Sequence, residues 1–317
     1  MHHRPDADAL GSSLGLASFL RKGHHQVSVI APTPYPNFLA WMPGSKDVII
    51  FCKGNKQRSF TLLEEADLVF CLDFSVPSRI DEMGEVVKNA SGTTVVIDHH
   101  LEPQDFTDFI FWDPHVSATA ELVYTFIEQL GEKERIDKDI AECLYAGIMT
   151  DTGSFKYPNT TTNSHLVTAA LMDRGADVAH VSRLIYENNS LDKLQFISFA
   201  IIHRLVILED YRTAYFAISK ADFQKFKLKK GDTEGLVNYA LALKNIILAA
   251  LITEKEDHVR ISFRSRKNFS VNNLAKAYFE GGGHKNAAGG NSRLTLKKTV
   301  EKFEHLVKEN EKALLNA

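Results

Sequence analysis

Apolar residues in the first hundred positions fall into two patterns, one typical of helices and one typical of buried strands. Ala9–Leu20 repeats leucine and alanine at helical spacing and is followed by Gly23, which predicts a helix that ends at the glycine. Val27–Ala31, Leu68–Leu72 and Thr93–Ile97 are instead short continuous runs of apolar and β-branched residues. Continuous runs of this kind, separated by helices, predict an α/β fold whose mainly parallel sheet is flanked by helices.

The pattern changes in the second half of the chain. A helical pattern at Ala118–Leu130 still belongs to the first arrangement, and Asn189–Leu205 then predicts a connecting helix. Beyond it come strand-like stretches at Arg204–Ser219 and His258–Phe263, with a helical pattern around Leu236–Ala242 between them. This second arrangement predicts a smaller α/β domain.

The chain is long enough for two domains, because 317 residues can form two separate cores. The changes in pattern along the chain give approximate boundaries. We expect a first domain over residues 1–187, a linker helix over residues 188–205 and a second domain over residues 206–317.

Acidic residues stand where two of the predicted strands end. Asp73 closes LVFCLD and Asp98 closes TTVVID, and Asp98 is followed directly by His99 and His100. In parallel sheets, ligands bind beyond the carboxyl ends of the strands. These four residues are therefore candidates for a common site.

Two further segments carry the same residue types. The chain begins with His2-x-x-x-Asp6-x-Asp8, and Asp151 follows the helical pattern at Lys138–Met149 in the sequence MTDTGSF. Because a segment like the first one usually follows a buried strand, we expect that a strand before His2 has been lost by truncation. Each aspartate alone has an ordinary explanation as a helix cap or a turn residue. All four segments together favour one shared site.

Carboxylates that converge in one cleft repel one another unless cations neutralise them. Carboxylate oxygens combined with imidazole nitrogens suit Mn²⁺, Mg²⁺ or Fe²⁺. Six ligands that share one carboxylate are enough for two ions about 3.5–4 Å apart, a pair that can activate a bridging hydroxide and clamp a phosphoryl group. We therefore expect two divalent metal ions, Mn²⁺, Mg²⁺ or Fe²⁺, at a phosphoryl-transfer site.

Composition limits the possible binding partners of the chain and its cellular compartment. The 37 basic and 40 acidic residues give a formal charge of −3, so the chain as a whole is not a basic nucleic-acid binder. An anionic substrate must therefore meet local positive charge or metal. We find no signal peptide, and the apolar runs are too short to cross a bilayer, so we expect no membrane partner. Three widely spaced cysteines fit a reducing, cytoplasmic location.

The four segments resemble the signature motifs of a known family. HHRPDADALGS, LVFCLDFS, VVIDHH and MTDTGSF resemble, in this order, the motifs of the DHH phosphoesterase superfamily. VRISFRSR followed by FEGGGHKNAAGG resembles the associated DHHA1 domain. One departure is Ala7, where the motif commonly has glycine, and it leaves every expected ligand in place. The resemblance implies a DHH domain and a smaller DHHA1 domain with the active site in the cleft between them.

The resemblance also implies a role for each candidate residue of the first domain. Six residues would bind the two metal ions: His2 and Asp6 the first ion, Asp8, His99 and Asp151 the second, and Asp73 both. Two further residues would be catalytic without binding metal. His100 would face the substrate phosphate and assist protonation, and Asp98 would orient a histidine.

Residues of the second domain are candidates for substrate binding. Gly282 and Gly283 lie in a glycine run that leaves backbone N–H groups unobstructed for an oxyanion, and His284 follows them. Arg264 and Arg266 alternate in ISFRSR, so on a strand they would share one face suited to a phosphate or a base. The alternative explanation is an exposed basic strand beside a flexible turn.

Stand-alone DHH–DHHA1 chains of about this length are similar to nanoRNases. This similarity implies an Mn²⁺-dependent, exoribonuclease-like hydrolase that cleaves short oligoribonucleotides such as pApA to nucleoside 5′-monophosphates. It also implies conversion of 3′-phosphoadenosine 5′-phosphate (pAp) to AMP, and it makes a homodimer plausible. The alternatives are a pyrophosphate or polyphosphate hydrolase and a non-catalytic nucleotide-binding module.

Overall fold

The computed structural model describes residues 1–52, 54–187, 189–229 and 231–317, which form two compact units. The first unit is Met1–Asn188 and the second is Asn189–Ala317. The expected first residue of the linker, Asn188, lies outside the described residues. Both units combine helices with sheets, which confirms the mixed α/β fold class.

The first unit begins with a long helix and continues through short strands and further helices. Its elements in chain order are α1 (Ala7–Lys22), β1 (Ile30–Ala31), β2 (Ile49–Ile50), α2 (Lys56–Glu64), β3 (Leu68–Leu72), α3 (Met83–Lys88), β4 (Thr93–Asp98), β5 (Phe109–Trp112), α4 (Thr119–Gln129), α5 (Lys138–Asp151), α6 (Thr162–Asp173) and α7 (Val178–Tyr186).

The strands of the first unit pair in parallel, as their continuous apolar sequences predict. β3 pairs with β4 with Leu72 opposite Ile97, and β5 pairs with the other edge of β4. β1 and β2 form a separate parallel pair. Because β3 and β4 are in register, the residues that follow the two strands leave the sheet at the same edge.

Helix α1 is buried over most of its surface because α4 and α5 pack against it. Glycines allow the backbones of α1 and α5 to approach closely. A Cβ added at Gly11 would lie 2.3 Å from the carbonyl oxygen of Cys143, and one at Gly15 would lie 2.8 Å from the side chain of Leu144. The start of α1 is therefore fixed against α5 by backbone-level packing.

The second unit is built around one mixed sheet. Its elements in chain order are α8 (Leu191–His203), β6 (Leu205–Leu208), β7 (Thr213–Ile218), α9 (Lys220–Lys225), α10 (Leu236–Leu241), β8 (Leu248–Glu254), β9 (Val259–Ser265), α11 (Val271–Tyr278), β10 (Gly282–His284), β11 (Ala287–Ser292), α12 (Leu296–Glu309) and α13 (Glu311–Leu315).

The sheet of the second unit has the strand order β10-β11-β9-β8-β7-β6. β7 and β8 pair in parallel, whereas the other neighbours pair antiparallel. Phe263 on β9 and Phe303 on α12 are fully buried and their rings lie 6.1 Å apart in one core of this unit. Among the helices of the described residues, none has both the length and the apolar character needed to cross a lipid bilayer.

Candidate metal centre

Two neighbouring strand ends bring four of the predicted residues together. Asp73 follows β3 directly, and Asp98 ends β4 and is followed by His99 and His100. The N–H of Asp73 donates to the carbonyl oxygen of Ile97 at 3.0 Å, so hydrogen bonding between the strands extends to this aspartate. Asp73 adopts the left-handed conformation, with φ of 64°, which is uncommon for a residue with a side chain. Its carboxylate is nevertheless buried.

The start of α1 brings two more carboxylates to the same place. Asp6 is the N-cap of α1, and its Oδ1 accepts hydrogen bonds from the N–H groups of Asp8 (3.1 Å) and Ala9 (3.0 Å). The ordinary explanation of Asp6 as a helix cap therefore holds for one of its oxygens. The other oxygen, Oδ2, lies 3.8 Å from Nε2 of His2 and remains available as a ligand atom.

The first group of ligand atoms belongs to His2, Asp6 and Asp73, whose donor atoms lie within 4.8 Å of one another. Nε2 of His2 is 3.2 Å from Oδ2 of Asp73. The other ring nitrogen of His2, Nδ1, donates to the carbonyl oxygen of His3 at 2.8 Å. That hydrogen bond fixes the ring and directs Nε2 to the two carboxylates.

The second group belongs to Asp8, Asp73 and His99, with Asp151 beside it. Donor atoms of the first three lie within 4.8 Å of one another. Nε2 of His99 is 3.8 Å from Oδ2 of Asp8, 3.7 Å from Oδ1 of Asp73 and 3.4 Å from Oδ2 of Asp151. The sequence pattern predicted that Asp151 follows the helix, whereas in the structure Asp151 is the last residue of α5. The two groups thus share Asp73, one through each of its oxygens.

His100 lies beside both groups and is paired with Asp98. Its Nδ1 donates to Oδ1 of Asp98 at 2.7 Å and is 3.6 Å from Oδ1 of Asp73. The indole N–H of Trp112 donates to the carbonyl oxygen of His100 at 2.7 Å and holds its backbone. The hydrogen bond to Asp98 occupies Nδ1 of His100 and fixes the orientation of its ring.

Charges in this cluster strongly perturb one another. Burial lowers the pKa of His2, but hydrogen bonds to Asp6 and Asp73 outweigh burial and raise the pKa to about 10. Burial, followed by the charges of Asp73, Asp151 and Asp6, raises the pKa of Asp8 well above its ordinary value. The carboxylates of the cluster therefore repel one another more than the imidazoles compensate.

The donor atoms fit divalent cations. Carboxylate oxygens predominate, imidazole nitrogens complete each group, and no thiolate takes part among the described residues of either group. Such a donor set suits Mn²⁺, Mg²⁺ or Fe²⁺. A divalent cation would also neutralise the repulsion between the crowded carboxylates. The structure therefore contains acidic and histidine groups able to hold metal, without specifying the ion.

Residues that the sequence motifs did not single out support the carboxylates. The backbone N–H groups of Thr119 and Ala120 donate to Oδ2 and Oδ1 of Asp8, at 2.7 and 2.9 Å. Gly147 on α5 lies so close to Asp8 that an added Cβ would be 2.5 Å from Oδ1. No pattern in the sequence indicates these contacts, because they join segments more than a hundred residues apart.

The predicted substrate-binding residues of the second unit lie on its sheet, and two expectations about them need correction. The backbone N–H groups of the glycine run are not all unobstructed as expected, because the run forms an edge strand, β10, and the N–H of Gly283 donates to Oδ1 of Asn272 at 3.0 Å. These glycines allow close strand pairing, since a Cβ at Gly283 would lie 2.6 Å from the carbonyl oxygen of Ala287. The predicted residues Gly282 and His284 are the two ends of this strand.

Arg264 and Arg266 do not share a strand. Arg264 lies within β9, opposite Ala287 of β11, and its Nη1 donates to the carbonyl oxygen of Phe263 at 3.0 Å. β9 ends at Ser265, so Arg266 stands one residue beyond the strand, where its side chain is exposed. The alternation in ISFRSR is therefore a strand pattern only as far as Ser265.

Comparison with known families gives matches to both halves of the chain. A profile described as "DHH family, N-terminal domain" matches residues 1–148, and one described as "DHHA1 domain" matches residues 213–315. The chain is 29% identical over 291 residues to the "Bifunctional oligoribonuclease and PAP phosphatase NrnA" of Bacillus subtilis, covering 91% of this chain and 86% of the relative. It is 30% identical over 312 residues to the protein of the same name from Thermus thermophilus, covering 97% and 88%.

One similar solved structure covers nearly the whole chain. The crystal structure of an exopolyphosphatase-related protein from Bacteroides fragilis has 38% sequence identity and a TM-score of 0.95. The match covers 99% of this chain and 92% of that chain. The fold described above is therefore shared over both units with a protein solved by experiment.

Proposed function

We propose a function from the family of the chain, which belongs to the DHH family and carries a DHHA1 domain in its second unit. The proposed function is hydrolysis of phosphoesters in short nucleotides. The proposed substrates are short oligoribonucleotides, such as pApA, and pAp. Hydrolysis of the former would release nucleoside 5′-monophosphates, and hydrolysis of the latter would release AMP. Relatives named oligoribonuclease and PAP phosphatase support this choice of substrates.

The observation that carries the proposal is the position of Asp73. One oxygen of its carboxylate faces the group of His2 and Asp6, and the other faces the group of His99 and Asp8. A carboxylate shared in this way suits a pair of divalent cations, for which we propose Mn²⁺. Bound ions would supply Lewis-acid chemistry, neutralising charge on the phosphate and lowering the pKa of water.

The chain's own residues would then have distinct tasks. His2, Asp6, Asp8, Asp73, His99 and Asp151 would hold the ions. His100 would present Nε2 to the substrate, because Asp98 accepts the Nδ1 proton and fixes the ring. An imidazole oriented by a carboxylate can bind an anionic phosphate oxygen when protonated and deliver a proton to the leaving oxygen.

Residues of the second unit would contribute to nucleotide binding. We propose Arg264, Arg266, Gly282, Gly283 and His284 for this role. Guanidinium groups bind phosphate oxygens through paired donors and also stack on a base. Since one N–H of the glycine strand is already used by Asn272, the arginines and His284 are the stronger candidates for contacts with the substrate.

The experiment that tests the proposal measures release of AMP from pApA by the purified chain with Mn²⁺. The substrate panel also contains pAp, di- to pentanucleotides, cyclic dinucleotides and pyrophosphate. We expect turnover of pApA and pAp that EDTA abolishes. Absence of release by folded, metal-loaded protein would contradict the proposal and favour a nucleotide-binding module.

A polyphosphate or pyrophosphate hydrolase is the second candidate. It is favoured by the similarity to the protein named exopolyphosphatase-related from Bacteroides fragilis. The substitution Arg264→Ala separates the two candidates, because only a nucleotide offers a base for the guanidinium. We expect this variant to lose more activity on pApA than on pyrophosphate, and the opposite order would favour the second candidate.

A further inference from the structure

Asp73 must keep its two carboxylate oxygens turned toward different groups, and a hydrogen bond from a threonine fixes that orientation. The hydroxyl of Thr119 donates to Oδ1 of Asp73 at 2.8 Å. Oδ1 also faces His99, at 3.7 Å from its Nε2, whereas Oδ2 faces His2 at 3.2 Å. Rotation of the carboxylate about its Cβ–Cγ bond would break the bond to Thr119.

The same threonine also holds the second group through its backbone. Thr119 is the first residue of α4, and its N–H donates to Oδ2 of Asp8 at 2.7 Å. The N-cap residue, Ala118, has no side-chain oxygen, so Asp8 accepts the first N–H groups of α4 in place of a local cap. Thr119 therefore contacts two carboxylates, that of the shared Asp73 through its hydroxyl and that of Asp8 in the second group through its amide.

A buried network holds the start of α4 in place. Glu121 is fully buried, and its Oε2 accepts from the N–H (3.2 Å) and the hydroxyl (2.7 Å) of Ser117. The hydroxyl of Ser164 and the amide of Asn163, both on α6, donate to the same carboxylate at 3.1 and 2.6 Å. Because this network ties the residues on either side of Thr119 to α6, the threonine cannot follow Asp73 if the aspartate moves.

We propose that Thr119 is a positioning residue whose hydroxyl holds Asp73 in the bridging orientation between the two metal groups. This inference rests on the proposed metal-dependent function and assigns part of its geometry to a residue that binds neither metal nor substrate. Hydrogen-bond partners of metal ligands typically change metal affinity 10- to 100-fold when they are removed. Loss of the hydroxyl should therefore weaken metal binding even though every ligand remains.

The test measures Mn²⁺ binding to the full chain by titration calorimetry and by electron paramagnetic resonance. Thr119→Val removes the hydroxyl at nearly constant shape, and Thr119→Ser keeps the hydroxyl. Thr299→Val is the matched control, because Thr299 is also fully buried and its hydroxyl bonds to a side-chain oxygen, that of Ser292. Thermal unfolding without metal establishes that each variant is folded.

We expect the wild-type chain to bind two Mn²⁺ ions with the spectrum of a magnetically coupled pair. Thr119→Val should bind at least one ion about tenfold more weakly and lose the coupled spectrum. Thr119→Ser and Thr299→Val should behave as wild type. If Thr119→Val does not fold, Thr119→Ala replaces it in the comparison with Thr119→Ser.

Two results would overturn the role of Thr119. One is wild-type affinity and coupling in a folded Thr119→Val or Thr119→Ala chain. The other is equal loss in Thr119→Ser, which would assign the effect to packing of the methyl group. A wild-type chain that binds no pair of ions would overturn the shared metal centre and this role together. A chain that binds two ions yet releases no AMP from pApA would contradict the proposed function alone.

Discussion

At the scale of single residues, the site depends on Asp73 holding an unfavourable backbone conformation. A left-handed conformation costs a residue with a Cβ on the order of 1 kcal/mol, and Asp73 adopts it at the end of β3. Burial raises its pKa, but the hydrogen bond to His2 and the nearby imidazoles lower it below its ordinary value. Asp73 is thus held as a carboxylate, the form needed to bind cations on both sides.

His100 tests the division between metal ligands and residues that act on substrate. We expect His100→Ala to bind two Mn²⁺ ions with wild-type affinity while kcat on pApA falls about 10²- to 10⁴-fold, because a proton donor is lost. Calorimetry and steady-state kinetics measure the two quantities separately. His25→Ala, at an exposed histidine of the same unit, is the control. Loss of an ion in His100→Ala would show that this histidine is a ligand.

The sequence could predict the candidate ligand residues but not the contacts that support them. Asp73 and Asp98 follow recognisable apolar runs, so their placement at one sheet edge follows from the rules for parallel sheets. Thr119 has no such signal, because its hydroxyl serves a residue 46 positions away. Asp6 shows a second limit of sequence reasoning. A helix cap and a candidate metal ligand look like alternatives in the sequence, but in the structure Oδ1 caps the helix while Oδ2 faces His2.

At the scale of elements, α1, α4 and α5 meet at Asp8. α1 carries the aspartate, α4 donates two N–H groups to it, and Gly147 lets α5 approach it. The sequence predicted the long buried helices, and it predicted β3 with the bounds that the structure has, Leu68–Leu72. β5 was missed because its four residues are largely exposed, and β1 is shorter than the apolar run at Val27–Ala31. Edge strands depend on pairing partners more than on their own pattern.

Gly147→Ala tests this junction. The added Cβ would lie 2.5 Å from Oδ1 of Asp8 and 2.8 Å from the Cβ of Ala120, so one of them must move. We expect a loss of about 1–3 kcal/mol in the free energy of unfolding and roughly tenfold weaker Mn²⁺ binding. Chemical denaturation and calorimetry measure these changes. The control is Gly54→Ala, where nothing lies within 4 Å of an added Cβ, and it should change neither the stability nor the Mn²⁺ affinity. Unchanged Mn²⁺ affinity in Gly147→Ala would contradict the proposal that close packing of α5 positions Asp8.

In the second unit, Arg204 joins α8 to α9 through Asp222. Its Nε and Nη2 donate to the two oxygens of the buried carboxylate at 3.0 and 2.8 Å. Burial alone would raise the pKa of Asp222, but Arg204 and Ser219 lower it below its ordinary value. A carboxyl with a lowered folded-state pKa stabilises the fold above its unfolded-state pKa, and this stabilisation is lost as pH falls through the folded-state pKa.

We therefore expect Asp222→Asn to destabilise the chain at pH 7 by about 1.5–3 kcal/mol and to cost progressively less below pH 4. Urea denaturation across this pH range, followed by circular dichroism, measures the difference. Glu134→Gln, in the corresponding pair of Glu134 with Arg174, should cost less because that carboxylate is exposed. A cost for Asp222→Asn that does not vary with pH would contradict this assignment.

At the scale of the whole molecule, the proposed metal site takes all of its ligands from one of two units that have separate cores. All six proposed ligands lie between residues 2 and 151, within Met1–Asn188. Both tryptophans, Trp41 and Trp112, also lie in this unit, so their fluorescence reports its unfolding selectively. Ligand binding to the folded state raises stability by mass action.

We expect Mn²⁺ at 100 times its Kd to stabilise the first unit by about 2.7 kcal/mol, seen as a higher Tm by tryptophan fluorescence. EDTA should reverse the rise. Asp73→Asn should abolish most of it, because the amide gives a poorer ligand to both groups. A Tm of wild type that is insensitive to Mn²⁺ would mean that the folded first unit does not bind the ion preferentially.

The central claim is that two cations lie on opposite sides of the Asp73 carboxylate. Anomalous diffraction at the manganese edge from crystals of the full chain grown with Mn²⁺ measures this directly. The account predicts two peaks, one among His2, Asp6 and Asp73 and the other among Asp8, Asp73, His99 and Asp151. A single peak, or peaks that do not flank Asp73, would contradict it.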